Sequence, residues 1–272
     1  MTTEVVVALG AVDLLAAVGE PIEQPPAVRR ALAGVPRAHE TESVIAAAPT
    51  LLLGMEVVGQ RSPELVKHLQ ARGTDVLLGN PQSLDDVFSF VTTVAARIDR
   101  VSQATALIDL LRQNAGAALT TFPPSQVEDR AVKRPSQVEV SSAPGASKVE
   151  VFVFDCCEPP FVAGGRGVLS DLIGRAGGRN VFADVEAAWG TVSWEMAIAR
   201  TPRLIVINDY AMDGQDDVAG KRARLAAIPS LAQVPTVVMP LGETLGGIRS
   251  VDGLARLARA IAALPASPEP RL

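Results

Sequence analysis

The sequence predicts an α/β protein with two lobes, a single long helix between them and a ligand cleft where the lobes face each other. Three observations indicate this class. Short apolar segments alternate with helical segments of about 10–15 residues, which is typical of parallel α/β folds. One helical segment, from Val101 to Leu119, is longer than the others and divides the chain. The length of 272 residues, at about 150 residues per domain, is consistent with two domains or with one large α/β domain.

We therefore divide the chain into four parts: residues 1–100 as the first lobe, 101–119 as the bridging helix, 120–147 as a connector rich in Pro and Ser, and 148–272 as the second lobe. Ala104, Ile108, Leu111 and either Ala115 or Ala118 recur on one face of the bridging helix. At about 1.5 Å per residue this helix is about 28 Å long, enough to span both lobes.

The first lobe contains three predicted strands. Val5–Leu9 is a β-branched apolar run that is typical of a buried parallel strand, and Leu51–Leu53 and Val76–Leu78 follow it. Ser83 and Asp86 have capping-box spacing and predict the start of a helix that runs to Ile98. The other predicted helices are Val12–Val18, Val28–Leu32, Thr41–Ala47 and Pro63–Arg72.

The second lobe repeats the alternation of strands and helices. Its predicted strands are Val149–Phe154, Asn180–Phe182, Leu204–Ile207 and Thr236–Met239. Its predicted helices are Val168–Ala176, Ser193–Ala199, Ala219–Leu225 and Val251–Leu264. In folds of this kind a ligand lies in the crevice at the carboxyl ends of the strands.

Charge and hydropathy exclude several functions. The chain has 25 Lys and Arg against 30 Asp and Glu and no dense basic cluster, so nucleic acid is not an expected partner. No apolar run reaches the length of a transmembrane helix. The first residues, Met1–Glu4, show no basic region followed by an apolar one. The expected location is therefore extracytoplasmic if a leader has been removed, and cytoplasmic otherwise.

No group of residues predicts catalysis or a metal centre. His39 and His68 are the two histidines, and both are predicted to lie on the surface, away from any ligand set. The loop Gly164–Gly167 departs from dinucleotide and phosphate-loop spacings, which favours a glycine loop that approaches a ligand closely or caps the next helix. The acidic pairs Asp85-Asp86 and Asp216-Asp217 are typical of solvated helix starts and loops.

Two pairs of unusual residues occur in the second lobe. Cys156 and Cys157 are adjacent, and we expect two free thiols at a strand end, since a disulfide between neighbours is rare. Trp189 and Trp194 flank a junction between a loop and a helix that Ser193 caps. We expect one of them to line a pocket and the other to pack in the core, with both in the core as the alternative.

Residues 149–265 carry a series of spaced motifs, which are Pro159-Pro160-Phe161, Gly164, Ala176-Gly177-Gly178, Asn180–Asp184, Trp189, Val192–Glu195, Pro202, Ile205–Ile207 and Asp209-Tyr210. The first lobe carries a looser set, which is Glu42–Ile45 leading to Pro49 and the strand Leu51–Leu53, and Pro63-Glu64. Through these motifs the chain resembles the periplasmic binding proteins that feed ABC importers for cobalamin, haem and ferric siderophores, a class with two Rossmann-like lobes on one helical backbone.

The resemblance implies a ligand site between the lobes. Phe161 and Trp189 match the aromatic wall of the second lobe, and Met55 stands where the first lobe would carry an aromatic residue. The remaining candidate ligand contacts are Tyr210, Glu56 and Arg249. Only Arg166 and Arg249 are basic residues near this predicted cleft, which favours a neutral or weakly charged ligand.

The resemblance also implies a partner. Glu64 and Glu195, one in each lobe, match surface carboxylates that dock onto the membrane subunits of an ABC importer. The alternative is that both are first-turn glutamates favoured by the helix dipole alone.

The leading hypothesis is a non-enzymatic binding protein without a cofactor, whose ligand is a corrinoid or a ferric siderophore, with haem also considered. The alternative is a cytosolic protein of the same fold that acts as an enzyme or handles a ligand in a biosynthetic pathway. General acid–base catalysis by such an enzyme could use the carboxylates and the phenol at predicted strand ends, which are Glu56, Glu158, Asp209, Tyr210 and Glu243.

Overall fold

A computed structural model describes residues 1–19, 25–124, 148–210 and 217–265. It contains two separate sheets, one on each side of a long helix. The predicted connector falls mostly at residues 125–147, outside the described residues. No helix in the described ranges is both long enough and apolar enough to cross a membrane.

The first lobe contains a parallel two-stranded sheet and a set of short helices. Its capping box is confirmed, because the Ser83 hydroxyl accepts from the Asp86 N–H and the Asp86 carboxylate accepts from the Ser83 N–H. Its elements are α1 (Thr2–Ala8), a 3-10 turn (Val12–Leu14), α2 (Pro26–Ala31), α3 (Thr41–Ala46), β1 (Leu51–Met55), α4 (Glu56–Arg61), α5 (Pro63–Ala71), β2 (Asp75–Gly79) and α6 (Leu84–Arg97).

Two predictions for the first lobe are wrong. The run Val5–Leu9, predicted as a strand, belongs to α1 and the residue that ends it. Val5, Val6 and Leu9 are buried on one side of that helix, and a short apolar run cannot distinguish a buried helix from a buried strand. The predicted helix Val12–Val18 is only a 3-10 turn, after which Val18 forms a parallel bridge with Arg37.

The helix α7 (Val101–Thr121) joins the two lobes. The predicted face is confirmed, and it buries both Ala115 and Ala118; its residues are Ala104, Ile108, Leu111, Ala115 and Ala118. It packs against α6 on the first-lobe side and against the last helix of the second lobe. The boundaries of the four parts of the chain stay predictions.

The second lobe contains a six-stranded sheet. The short strand predicted at Asn180–Phe182 lies instead at Gly178–Asn180. The elements are β3 (Val149–Cys156), β4 (Phe161–Ala163), α8 (Val168–Arg175), β5 (Gly178–Asn180), β6 (Trp189–Thr191), α9 (Trp194–Ala199), β7 (Leu204–Asp209), α10 (Asp217–Ala226), β8 (Thr236–Pro240), α11 (Leu241–Thr244) and α12 (Ser250–Ala262). The pairs β3–β5, β3–β7 and β7–β8 are parallel, and the pairs β3–β4 and β4–β6 are antiparallel.

Side chains of β3 alternate between two core clusters. Val151 and Val153 belong to a cluster that also includes residues of α7, α8, α12 and the first lobe. Phe152 and Phe154 belong to a second cluster. This alternation follows from the pleat of the strand, and it leaves β3 buried on both faces as expected for a parallel strand.

Ion pairs and a backbone contact hold the lobes together. Glu4 of α1 accepts from Arg249, which precedes α12, at 3.0 and 3.1 Å. Arg175 of α8 donates to Asp85 of α6 at 2.7 Å. Asp171 of α8 accepts from the N–H of Leu84 at 2.9 Å.

Candidate functional site

The candidate ligand wall is a stacked pair of aromatic rings, Phe161 and Trp189. Their centroids are 6.1 Å apart and their planes differ by 17°. The antiparallel pairing of β4 with β6 brings them together, since Trp189 lies opposite Ala163 and Phe161 lies opposite Thr191. Both rings are half-buried. A pair of rings that is fixed by a sheet and still partly exposed can stack against an organic ligand.

Trp194 occupies a different environment from Trp189. Its ring makes edge contacts with Phe152 and Phe154, at centroid distances of 6.5 and 5.2 Å. Its Nε1 donates to Glu158 at 2.8 Å. Trp194 thus packs against one core cluster, whereas Trp189 packs against the other. Both tryptophans are half-buried, so the expectation that one of them lines a pocket and the other packs in the core stays a prediction.

Tyr210, at the carboxyl end of β7, is held by a buried carboxylate. Its hydroxyl donates to Asp155 at 2.5 Å, and the amide of Asn208 donates to the other oxygen of Asp155 at 2.6 Å. Burial, followed by the hydrogen bond and the charge of Asp155, raises the pKa of Tyr210. The phenol therefore stays protonated at neutral pH and acts as a hydrogen-bond donor.

Lys221 of α10 completes this group. Its side chain is buried, and its ammonium donates to the carbonyl of Asn208 at 2.6 Å and to Asp217. The same ammonium lies 4.5 Å from the centre of the Tyr210 ring. Sequence reasoning missed Asp155, Asn208 and Lys221, although a polar residue directly after an apolar strand was a usable signal at Asp155.

Cys156 and Cys157 form a disulfide, so the expectation of two free thiols is wrong. Cys157 has a positive φ of 78°, and this turn at the end of β3 brings the two sulfur atoms together. The following Glu158–Pro159 peptide bond is cis, and Pro160 leads into β4. Cys156 lies opposite Phe161 in the β3–β4 pairing. The disulfide is thus a neighbour of the aromatic pair.

The first-lobe candidates lie together at the carboxyl end of β1. Met55 is half-buried and precedes α4, and Glu56 is the exposed first residue of that helix. The Glu56 carboxylate accepts from the amide of Asn80, which follows β2. Met55 and Glu56 are consecutive in the chain, and their contact with a ligand stays a prediction.

The two arginines considered for the ligand are both paired. The side chain of Arg249 is 15% exposed and its partner Glu4 is 4% exposed. Arg166 pairs with Glu186 at 3.2 Å on the surface. Arg249 therefore connects the lobes, so a ligand contact through its guanidinium would compete with a buried ion pair.

The glycine loop has a structural explanation. Backbone N–H groups of Gly164, Gly165 and Arg166 donate to carbonyls of the segment 185–188. A Cβ at Gly164 or Gly165 would overlap carbonyl oxygens of the neighbouring segment. The close approach expected for this loop is thus made to the protein's own backbone.

Glu64 and Glu195 lie on the surface, one on α5 and one on α9. Glu64 pairs with Lys67 at 2.8 Å, and the side chains are 82% and 70% exposed. The Ser193 hydroxyl lowers the pKa of Glu195 through a hydrogen bond, followed by the backbone. Neither carboxylate is buried in an internal ion pair, so both are available to a partner.

The histidines do not form a centre. His39 is exposed and lies 3.9 Å from Glu40, and His68 is exposed near the end of α5. Within the described ranges no group of three or more His, Cys, Asp or Glu could hold a metal ion.

Vitamin B12-binding proteins of Yersinia pestis and Yersinia pseudotuberculosis are 24% identical to the chain over 209 residues, which is 76% of this chain. The chain spans 66% of the length of these relatives, just under two thirds. No protein-family model matches the chain.

Solved structures of periplasmic binding proteins share the fold. A periplasmic binding protein from Veillonella parvula superposes with a TM-score of 0.80 at 21% identity, covering 97% of this chain and 89% of the other. A periplasmic haem-binding protein from Roseiflexus gives 0.73 at 22% identity, covering 96% and 94%. A protein of an ABC-type Fe3+-hydroxamate transport system from Saccharomonospora viridis gives 0.70 at 23% identity, covering 95% and 89%. The predicted resemblance is confirmed at the level of the fold.

Proposed function

We propose that this chain, which has the fold of the periplasmic binding proteins, is a non-enzymatic substrate-binding protein that delivers a bulky metal chelate to an ABC importer. The chelate is a corrinoid or a ferric siderophore, and binding takes place outside the cytoplasm. The observation that carries the proposal is the half-exposed stacked pair Phe161 and Trp189. Such a wall binds a large organic ligand by burial and stacking without chemistry on it.

The charges near the proposed cleft favour a ligand that is neutral or weakly charged. Arg249 is paired with Glu4 and Arg166 with Glu186, so neither guanidinium is available to an anionic catecholate without losing its partner. A corrinoid or a hydroxamate siderophore needs no such cation. Among the similar proteins, the vitamin B12-binding proteins and the Fe3+-hydroxamate transport protein are named for ligands of these two classes, whereas the Roseiflexus protein is named for haem.

Tyr210 argues against ligation of haem iron by this chain. A phenol coordinates iron as phenolate, and the Asp155 hydrogen bond together with burial raises the Tyr210 pKa and keeps its proton in place. The histidines that could replace it, His39 and His68, lie on the surface of the first lobe. A chelate whose metal is already fully coordinated by its own ligand avoids this requirement.

The importer is proposed to dock on Glu64 and Glu195. Both carboxylates are exposed, and they lie on different lobes. Arginines on two membrane subunits could each pair with one carboxylate, which would fix the orientation of the protein on the importer.

The test is a direct binding panel by calorimetry with cyanocobalamin, haem, a ferric hydroxamate and a ferric catecholate. We expect saturable binding of cyanocobalamin or of the ferric hydroxamate, with haem and the catecholate binding at least about tenfold more weakly. Absence of binding to all four ligands by folded protein would remove the proposal. Preferred binding of haem would keep the transport role and overturn the ligand class.

A further inference from the structure

The disulfide between Cys156 and Cys157 can be reached from solvent. It lies at the carboxyl end of β3, where Cys157 is exposed and Cys156 is half-buried. A disulfide exchanges only when an attacking thiolate can reach one of its sulfur atoms, and the exposed Cys157 offers that access. The bond can therefore take part in thiol–disulfide exchange in the folded protein.

The same bond contributes little to holding the fold together. A disulfide stabilises a protein mainly by restricting its unfolded chain, and this effect grows with the length of the loop that the bond closes. Cys156 and Cys157 are adjacent in the chain, so the closed loop is the shortest that a protein can have. Both cysteines belong to the end of β3 and the turn that follows, so the bond connects no distant elements. Its effect is therefore expected in the turn itself.

The turn that contains the disulfide is anchored on both sides. Before it, the buried Asp155 carboxylate accepts two side-chain hydrogen bonds, at 2.5 and 2.6 Å. After it, Glu158 accepts from Nε1 of Trp194 at 2.8 Å and pairs with an arginine of α10. A change of backbone conformation between these two anchors is therefore confined to Cys156 and Cys157.

Cys157 has a backbone conformation that the disulfide helps to maintain. Its φ is 78°, in the left-handed region that residues other than glycine rarely adopt. While the bond is closed, Cys157 cannot leave this region without moving Cys156. When the bond is open, that restraint is absent, and we expect Cys157 to relax to a negative φ.

A movement of this turn would reach the aromatic pair directly. Cys156 lies opposite Phe161 in the β3–β4 pairing. Pro160, the residue before Phe161, accepts from the N–H of Val192 at 3.0 Å, and Val192 directly follows β6. Because Trp189 begins β6 and stacks on Phe161, a shift of the turn would change how the two rings are presented.

We propose that Cys156 and Cys157 form a reversible redox site whose state sets the position of the aromatic pair. Its substrate is a dithiol of the kind that thiol–disulfide oxidoreductases carry. One thiolate of the dithiol attacks the sulfur of Cys157, the bond to Cys156 breaks, and Cys156 takes up a proton. The second thiol of the dithiol then attacks the mixed disulfide, which releases Cys157 as a thiol and leaves the reductant as a disulfide. Two electrons and two protons thus pass from the dithiol to the protein.

The consequence for ligand binding rests on the proposed function. In the disulfide form Phe161 and Trp189 are held as a stacked pair, and this is the form that binds the chelate. In the dithiol form the pair loses the support of the turn, and the affinity falls. Disulfides persist in oxidising compartments, so the binding form is the one expected outside the cytoplasm.

Hydrogen exchange on the full chain tests the redox site without a ligand. The chain is compared in oxidised and in reduced dithiothreitol, and its free thiols are counted in each. We expect the amide of Val192 to lose at least about tenfold in protection on reduction and to regain it on reoxidation. The amide of Gly164, which donates to Ala188 at 2.9 Å at the other end of the same strand pair, is the matched control and should lose less.

Two variants separate the bond from the side chains that form it. Cys156→Ser/Cys157→Ser cannot form the bond, so its Val192 amide should exchange as in the reduced chain in either redox buffer. Cys156→Ser/Cys157→Gly cannot form the bond either, but glycine adopts a positive φ without steric cost. This second variant should therefore recover most of the protection at Val192, and it should not respond to the dithiol.

The effect on ligand binding is measured by calorimetry with cyanocobalamin and with a ferric hydroxamate as the probes. Excess dithiol is removed before the titration, because it could reduce the metal of the probe. The disulfide form should bind one of the two probes at least about tenfold more tightly than the dithiol form. Equal affinity of the two forms would overturn the control of binding by this site.

The exchange experiment decides the redox site by itself. Equal protection of Val192 in the oxidised and reduced chains would overturn it, as would a disulfide that the dithiol reduces only after the protein unfolds. Failure of the glycine variant to recover protection would overturn the role assigned to the φ of Cys157. If neither probe binds in either redox state, the proposed function fails, and the exchange of Val192 still decides whether the redox site exists.

Discussion

Replacement of Trp189 by Ala tests the candidate ligand wall most directly. Trp189 stacks on Phe161 at 6.1 Å and remains half-buried, so part of its ring is available to a ligand. The substitution removes that surface and the partner of Phe161. Because β6 is a short strand at the end of the sheet order, the change removes little of the central core.

The expected magnitude follows from the area that a ligand would cover. A Trp side chain buries about 150–250 Å² when fully covered, so the exposed part offers on the order of 100 Å². At about 25 cal/mol per Å² this area contributes about 2.5 kcal/mol. Aromatic anchors in well-packed sites reach larger values, so we expect a loss of about 2–4 kcal/mol. The dissociation constant then rises about 30- to 1,000-fold.

The assay is calorimetric titration of Trp189→Ala with the chelate that binds the unmodified chain. Trp194→Ala is the matched control, since Trp194 packs against Phe152 and Phe154. Because Trp194 is half-buried and contacts two core rings, the control should lower the free energy of unfolding by about 1–3 kcal/mol and leave the affinity of the folded protein nearly unchanged. An unchanged dissociation constant for Trp189→Ala, or the reverse behaviour of the two tryptophans, would refute the assignment of the wall.

Three further predictions follow from other parts of the structure. The chain has a single tyrosine, so tyrosinate absorbance reports Tyr210 alone. Tyr210 should ionise at a pH above the ordinary tyrosine pKa of 10.0, and Asp155→Asn should lower the pKa of Tyr210. Because the pKa of Tyr210 is raised in the folded state, the contribution of its phenol to the free energy of unfolding is complete below pH 10.0 and falls as the pH rises above it. Denaturant unfolding measured at a series of alkaline pH values would show this fall. Glu195→Lys should reduce importer-dependent uptake and leave the chelate affinity within about twofold, whereas a matching loss of affinity would contradict docking. A thiol reagent should label Cys156 and Cys157 only after reduction, and full labelling of unreduced protein would contradict the disulfide.

The sequence predicted the features that depend on local chemistry. The capping box at Ser83 and Asp86 lies within one turn, so the residue types alone specify it. The cap at Ser193 was found for the same reason, and its hydroxyl accepts from the N–H of Met196 at 3.2 Å. The aromatic pair came from the family resemblance, because Phe161 and Trp189 lie far apart in sequence.

The features that the sequence did not predict depend on contacts between distant segments, or lie in apolar runs too short to show a helical or strand period. The run Val5–Leu9 is apolar over too few residues to distinguish a helix from a strand, and its helical form depends on packing against both lobes. Asp155, Asn208 and Lys221 meet only because β3, β7 and α10 are neighbours in space. The partner of Arg249 is Glu4, 245 positions away, and no local pattern indicates such a pair.

The pairing of Arg249 with Glu4 also bears on how a ligand would be held. The pair is almost completely buried between α1 and the start of α12, and breaking a buried ion pair on one side costs about 3–5 kcal/mol. Arg175 adds a second connection through its ion pair with Asp85, next to the hydrogen bond from the Leu84 N–H to Asp171. Wide opening of the lobes would have to break both connections and bend α7, which packs on both lobes. A ligand is therefore expected to meet a preformed wall at Phe161 and Trp189, so its affinity depends more on the exposed ring surface than on closure around it.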